Sequence, residues 1–359
     1  LIFGSGFTSQ VFNGDISGAS SLYMEGTAAT EALNGRTQVA GPTHASGGTL
    51  LIGDATHPGA LLQSDALVHL GGTLGGTGRI DGDVTVESGG TLQPGDGIGT
   101  LTVDGSLTLQ SGSRLSIEVG LPGANALTAG RSDRVHVTGD VSVDNALVDV
   151  VNAGGMGAGL YTVLDYTGNY FGANGGFRLG NTPVGSAFEI LNNTVAKRVD
   201  LLNVNNVTVN FWNGDGLRGG SGTWNVSTPN WTSPDGTRND IMSPQPGYAI
   251  FTNARGDVHV DNSGGAVSAS GLQFATDGYT LGGDPLTLLA ADGTVPVIRV
   301  GQGTPDAAGM IATVSSVLKG NQGLKKDDYG TLVLTGVNTY TGGTTIARGV
   351  LAVADDRAL

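Results

Sequence analysis

Gly82-Asp83-Val84-Thr85-Val86, then Gly99-Thr100-Leu101-Thr102-Val103 and Gly105-Ser106-Leu107-Thr108-Leu109, carry the reading that decides the fold. Each phrase enters through a glycine and alternates apolar with Thr or Ser positions. That is a short strand with one dry face and one wet face. The phrase returns as Gly139-Asp140-Val141-Ser142-Val143, Gly256-Asp257-Val258-His259-Val260 and Gly330-Thr331-Leu332-Val333-Leu334. Strands this short are not stable alone, so many of them must stack on one another. The tetrad Gly-Gly-Thr-Leu starts at Gly47, Gly71 and Gly89, 24 and 18 residues apart. A spacing of that size is one coil of a parallel β-helix, not one hairpin. Asp81-Gly82 and Asp104-Gly105 are the dipeptides of tight hairpin turns, so hairpin excursions or a sandwich insert are the competing arrangement.

Composition agrees with a thin coil. Gly is 63 of 359 residues and Pro 12, without a Gly-X-Y period, which excludes collagen. Hydrophobic residues are 38%, low for a compact globule and suited to strands that each show one side to water. The net charge is −14 with only 17 Lys and Arg, which argues against a nucleic-acid partner, because phosphate binding needs clustered cations. Cys is absent, so neither a disulfide scaffold nor a thiol or Cys-zinc enzyme is indicated. No apolar run reaches about eighteen residues, the length of a membrane-crossing helix. Helical periodicity is confined to single turns at Glu31-Ala32-Leu33 and Asp306-Ala307-Ala308. The start, Leu1-Ile2-Phe3-Gly4-Ser5-Gly6, has neither Met nor a basic leader, and the chain is expected to be part of something longer.

A longer unit overlies the short phrase. Near the C-terminus stand Gly330-Thr331-Leu332-Val333-Leu334-Thr335-Gly336-Val337-Asn338-Thr339-Tyr340-Thr341-Gly342-Gly343-Thr344-Thr345-Ile346 and Gly349-Val350-Leu351-Ala352-Val353. Thr43-His44 and Ser46-Gly47-Gly48-Thr49-Leu50-Leu51 are a degraded echo. The C-terminal stretch resembles the autotransporter-associated β-strand repeat found in passenger regions of bacterial type V secretion proteins. Ser88-Gly89-Gly90-Thr91-Leu92-Gln93-Pro94-Gly95 and Asp133-Arg134-Val135-His136-Val137-Thr138-Gly139-Asp140-Val141 are similar to a pertactin-like passenger pattern. The resemblance covers about half the chain. It implies a right-handed parallel β-helix on a cell surface or secreted, with further rungs and a membrane barrel downstream and an exported leader upstream. At roughly 20–25 residues per coil and about 4.8 Å per rung, the body would hold about 16 rungs over about 75 Å. The Asn-rich run Asn203-Val204-Asn205-Asn206-Val207 marks a seam. It gives one β-helix section over 1–205 and a second over 206–359, which opens on a Trp-rich segment and ends in the autotransporter-associated repeat.

Candidate sites are few, and each has a plain structural reading beside it. Arg255-Gly256-Asp257 is the tripeptide read by integrins, yet its Gly-Asp also opens a strand phrase, as at Gly82-Asp83 and Gly139-Asp140. Trp212, Trp224 and Trp231 are a candidate stacking platform for glycan rings, or else the aromatic plug of a coil section. His44, His57 and His69 lie 13 and 12 residues apart with no zinc-motif spacing, so no metal site is expected there. Asp81, Asp83 and Asp96 sit in turns that suggest structural Ca²⁺, but no calcium nonapeptide repeats. Gly219-Gly220-Ser221-Gly222-Thr223 misses the nucleophile-elbow pattern at its last position, and no phosphate cradle occurs. No catalytic residue and no cofactor are therefore assigned. The expected function is that of an adhesin or adhesive stalk meeting a host or bacterial surface protein or glycan. A self-associating structural or biofilm filament and a β-helix carbohydrate-active enzyme are the alternatives. An enzyme would need clustered carboxylates and a cation on one face.

Overall fold

The computed structural model describes residues 1–3, 9–26, 29–122, 130–184, 186–204, 208–214, 218–232, 239–243, 245–290, 294–354 and 358–359. The chain forms two compact units. The first comprises Leu1–Gly120, Arg131–Met156 and Tyr161–Leu201; the second comprises Leu121–Gly130, Gly157–Leu160 and Leu202–Leu359. Both are parallel β-helical. Asn205, Asn206 and Val207 of the Asn-rich run lie outside the described residues.

In the first unit each coil visits three walls in turn. One coil, for example, runs through Ala66–Val68, Gly72–Gly76 and Arg79–Ile80 before Val84–Val86 begins the next. On the first wall, Leu22 lies beside Thr43, Thr43 beside Ala66, Ala66 beside Val84, Val84 beside Leu107 and Leu107 beside Val141, all in parallel. On the second wall Leu50, Leu74, Leu92 and Leu115 stand in one column. The three Gly-Gly-Thr-Leu tetrads are thus stacked in register, as their spacing predicts. A nine-stranded sheet makes the third wall. The long strand Val141–Asn152 joins the first two walls, pairing with Leu107–Leu109 through its first residues and with Arg114–Val119 through its last. Asn145, at φ 45°, takes the bend between them.

Alternation fixes the core. Val84, Val86, Leu107, Leu109, Val141 and Val143 are fully buried, whereas Thr85, Thr108 and Ser142 between them face outward. Coil length is less regular than the expected 20–25 residues. It falls to 18 between Ala66 and Val84 and rises to 34 between Leu107 and Val141.

Asp81-Gly82 and Asp104-Gly105 are not hairpin turns. They are corners between the third wall and the first, stacked coil on coil: Gly139 N–H donates to Gly105 O at 2.9 Å, and Gly168 N–H to Gly139 O at 3.0 Å. A Cβ on Gly105 would lie 2.4 Å from Gly82 O and 2.6 Å from Gly82 C. Close backbone approach, not turn type, demands glycine here. Aspartates at these corners cap the next coil. Asp65 Oδ1 accepts the N–H of Asp83 at 2.9 Å, Asp83 Oδ1 that of Ser106 at 2.7 Å, and Asp140 Oδ1 that of Asn169 at 2.7 Å.

The second unit is built from a ten-stranded and a six-stranded sheet. Antiparallel pairing among its described residues sits in the Trp-rich segment, where Trp212 opposes Trp231 and Trp231 opposes Asp240. A hairpin excursion thus exists, but away from the Asp-Gly corners. Glu31-Ala32-Leu33 is strand, not helix, because Ala32 and Leu33 pair with Leu51 and Ile52 of the next coil. Asp306-Ala307-Ala308 does form a helical turn, within the 3-10 segment Pro305–Gly309.

Candidate functional site

The third wall of the first unit carries an extended polar surface. Its strands Arg36–Val39, Leu61–Gln63, Arg79–Ile80, Thr100–Val103 and Arg134–Val137 stack in order. Their outward side chains interlock. Arg36 Nε donates to Gln63 Oε1 at 2.8 Å, and Gln63 Nε2 reaches Asp81 Oδ2 at 3.4 Å. Arg79 bridges Asp81 at 3.2 Å and Asp104, and Thr138 Oγ1 donates to Asp104 Oδ1 at 2.7 Å. Farther along, Asp165 pairs with Arg134 at 3.3 Å and with His136. The Arg79 side chain is 51% exposed, so its guanidinium keeps donors toward water. Each ion pair contributes little stability at such exposure. Held in register by a rigid wall, the groups nonetheless present donors and acceptors in fixed alternation.

On the first wall, Tyr23 stacks on His44 with ring centroids 4.5 Å apart and planes at 3°. His44 Nδ1 faces His69 Nε2 at 3.0 Å, and His69 Nδ1 lies 2.8 Å from Glu87 Oε2. Burial and the neighbouring His69 pull His44 below the usual imidazole range, with Glu87 acting in the other direction. His57 stands apart from this pair, against Asp54 at 2.8 Å. Among the described residues, no group of three or more His, Cys, Asp or Glu is gathered as a metal site.

Trp212, Trp224 and Trp231 are 0, 0 and 1% exposed, so none offers a ring face to a sugar. They are part of the core of the second unit, where Trp231 stands edge-on to Trp212 and to Trp224 at 5.0 Å and all three gather about Phe251. The glycan-stacking expectation gives way to burial, which removes a large apolar area from water. Arg255 and Asp257 are exposed, but the tripeptide sits at a stacked corner. A Cβ on Gly256 would fall 2.1 Å from the Gly220 carbonyl carbon, Asp257 N–H donates to Ser221 Oγ at 3.0 Å, and the Asp257 carboxylate accepts from Thr280 Oγ1. Ser221 serves that ladder and has no histidine beside it among its described hydrogen bonds. Asp81, Asp83 and Asp96 are spent separately, on Arg79, on Ser106 N–H and on Ala55 N–H.

Asp133 and Lys326 are among the buried polar groups that the sequence analysis does not single out. Asp133 accepts the N–H of Glu118 at 2.8 Å and of Gly99 at 2.9 Å, yet burial pushes its carboxyl up to about 7. Lys326 is fully buried in the second unit, its ammonium donating to the carbonyls of Asp327, Asp328 and Arg348 at 2.8, 2.8 and 3.2 Å. Nearby, Asp328 takes the αL conformation at φ 73° and pairs with Arg299 at 3.0 Å.

That lysine lies in a recognised sequence unit. Residues 324–353 match the family described as Passenger-associated-transport-repeat. The chain is also 39% identical, over an alignment of 371 positions that covers 98% of its own length, to the Adhesin BmaC autotransporter of Brucella suis biovar 1 (strain 1330). The chain is an autotransporter passenger region. It spans 10% of the length of that relative. A passenger acts outside the cell, anchored at the surface or released, and its outward walls are what it presents there. The repeat's internal logic is visible: Lys326 and Asp328 close one corner, and Thr331–Leu334 then stacks against Val350–Val353.

Proposed function

We propose that this passenger segment is adhesive, and that the third wall of its first unit is the contact surface for a host or bacterial cell. The observation supporting the reading is the interlocked strip Arg36–Gln63–Asp81–Arg79–Asp104–Thr138, exposed on a rigid wall. Guanidinium groups alternate with carboxylates, so the strip has hydrogen-bonding capacity without strong net charge of its own. It suits a surface protein or glycan rich in hydroxyl and amide groups. In the parent molecule the segment would be carried by a downstream barrel. A non-enzymatic role fits the same surface, where each carboxylate is already engaged by a cation or an N–H.

The test is attachment of beads coated with the chain to host and bacterial cells. The triple variant Arg36→Ser, Arg79→Ser, Arg134→Ser is expected to reduce attachment roughly tenfold, the loss of about 1.4 kcal/mol of contact. Amide protection over residues 84–109 should stay unchanged. Asp257→Glu is expected to leave attachment as it was, because Asp257 serves a corner. Equal attachment of the triple variant would remove the strip from the account, and loss with Asp257→Glu would move the site to Arg255-Gly256-Asp257.

A further inference from the structure

His44 and His69 are 25 residues apart, and one coil of the first unit brings them together. A carboxylate only accepts, so the 2.8 Å contact with Glu87 Oε2 places the proton of His69 on Nδ1. Its Nε2 is left with a lone pair. That lone pair faces His44 Nδ1 at 3.0 Å and takes a hydrogen bond from it. The two rings lie within 9° of parallel, their centroids 5.3 Å apart, and Tyr23 holds His44 by stacking. Two nitrogens on separate coils are therefore aimed at one another, with a single hydrogen between them.

A metal dication could replace that hydrogen bond, lying to one side of the line between the two nitrogens. With metal–nitrogen bonds of about 2.0–2.1 Å, two ligand nitrogens are separated by about 2.9 Å at a right angle and about 3.4 Å at the tetrahedral angle. The observed 3.0 Å lies between, nearer the right angle preferred by tetragonal Cu²⁺. We propose that His44 and His69 form a two-imidazole site for a borderline dication, Cu²⁺ first, with water completing the coordination. Glu87 is its positioning residue: it fixes the tautomer and orientation of His69 as carboxylates behind metal-bound histidines do. On binding, the Nδ1 proton of His44 moves to Nε2 of the same ring or passes to solvent, and the His44 ring turns so that its lone pair converges on the ion with that of His69. The His69 side chain is 30% exposed, which leaves the site open to water and ions. A bound ion would tie the strand Thr43–Ala45 to the residue that follows Ala66–Val68, stapling consecutive coils.

Cu²⁺ titration of the intact chain, followed by calorimetry and electron paramagnetic resonance, tests this. Expected is saturable uptake of a single equivalent with nitrogen ligation, abolished by His44→Gln and by His69→Gln and retained in His57→Gln. Glu87→Gln should weaken it about 10–100-fold. Thermal stability of the first unit should rise with Cu²⁺ in the unmodified chain, because ligand binds only the folded site. Absence of saturable uptake, or uptake unchanged in His44→Gln, overturns the proposal. Should either Gln variant lose amide protection, selective Cu²⁺ broadening of histidine ring resonances in the unmodified chain decides instead. Broadening of His44 and His69 supports the site, and broadening of His57 or His136 alone overturns it.

Discussion

Phe251→Ala should destabilise the second unit by roughly 3–5 kcal/mol, the range for removing a fully buried phenyl ring. Phe251 is 0% exposed and stands at the centre of the aromatic cluster. Its ring centroid is 5.8 Å from Trp212 and Trp224, 5.7 Å from Trp231 and Tyr279, and 5.0 Å from Phe274, on which it stacks at 14°. Collapse around the missing ring is resisted by fixed partners. Trp212 Nε1 donates to Gly220 O at 2.8 Å, and Tyr279 Oη donates to Thr252 O at 2.7 Å while accepting Gly220 N–H at 3.0 Å. The cavity should therefore persist and its cost be felt in full. All three tryptophans of the chain lie in this cluster, so tryptophan emission, excited to the red of tyrosine absorption, reports the second unit alone. Denaturant titration should show an earlier, red-shifting transition, with amide protection of residues 84–109 in the first unit unchanged. A midpoint shift worth less than about 1 kcal/mol would mean that the cluster is loosely packed.

Gly105→Ala is the counterpart in the first unit. The added methyl meets backbone at 2.4 and 2.6 Å, and backbone cannot swing aside as a flexible side chain can. Relief requires spreading two coils, which weakens Ser106 N–H to Asp83 Oδ1 below and Gly139 N–H to Gly105 O above. A cost of roughly 2–3 kcal/mol is expected, with exchange of the Ser106 and Gly139 amides accelerated roughly 30-fold or more. Gly59→Ala is the control, because nothing lies within 4 Å of its new methyl. Equal behaviour of the two variants would show that the corner tolerates a side chain and that close stacking is not its reason for glycine.

The fold was legible because its signals are local. Gly-x-Val-x-Val states a strand, its glycine and which face is dry, and three Gly-Gly-Thr-Leu starts state a coil. Register across coils of unequal length is not local. Arg79 meets Asp104 at 25 residues and Arg36 meets Gln63 at 27, whereas Arg114 meets Asp149 at 35. No fixed spacing predicts these pairs, so the polar strip and the His44–His69 contact were invisible as motifs. The same irregularity hid Asp133, whose two N–H donors, Gly99 and Glu118, come from 34 and 15 residues away. The tryptophans were visible by type but not by burial, since Trp-rich segments with Asn and Gly between them serve surfaces and cores alike. Arg255-Gly256-Asp257 looked like a signal, yet its Gly-Asp is a corner dipeptide that recurs in this chain, as at Gly82-Asp83 and Gly139-Asp140. Lys326 follows Leu324 by two residues and so shares its inward face, but nothing in Leu324-Lys325-Lys326-Asp327-Asp328 tells that carbonyls wait there for an ammonium.

Every site in the chain rests on which residues the coils place side by side, and the cysteine-free sequence allows that to be measured covalently. Thr108 and Ser142 are register partners 34 residues apart, both on the outer side of the first wall. Parallel neighbours stand about 4.8 Å apart, within the roughly 4.4–6.8 Å that a disulfide spans. Asp144 faces the same way but lies two residues farther along, about 8 Å from Thr108 by strand geometry, beyond that span. Mild oxidation of the Thr108→Cys, Ser142→Cys variant should give a complete intramolecular disulfide, and the Thr108→Cys, Asp144→Cys variant should remain reduced. Cross-linking of the second pair with failure of the first would contradict the register, and with it the strip, the histidine pair and the stacked corners.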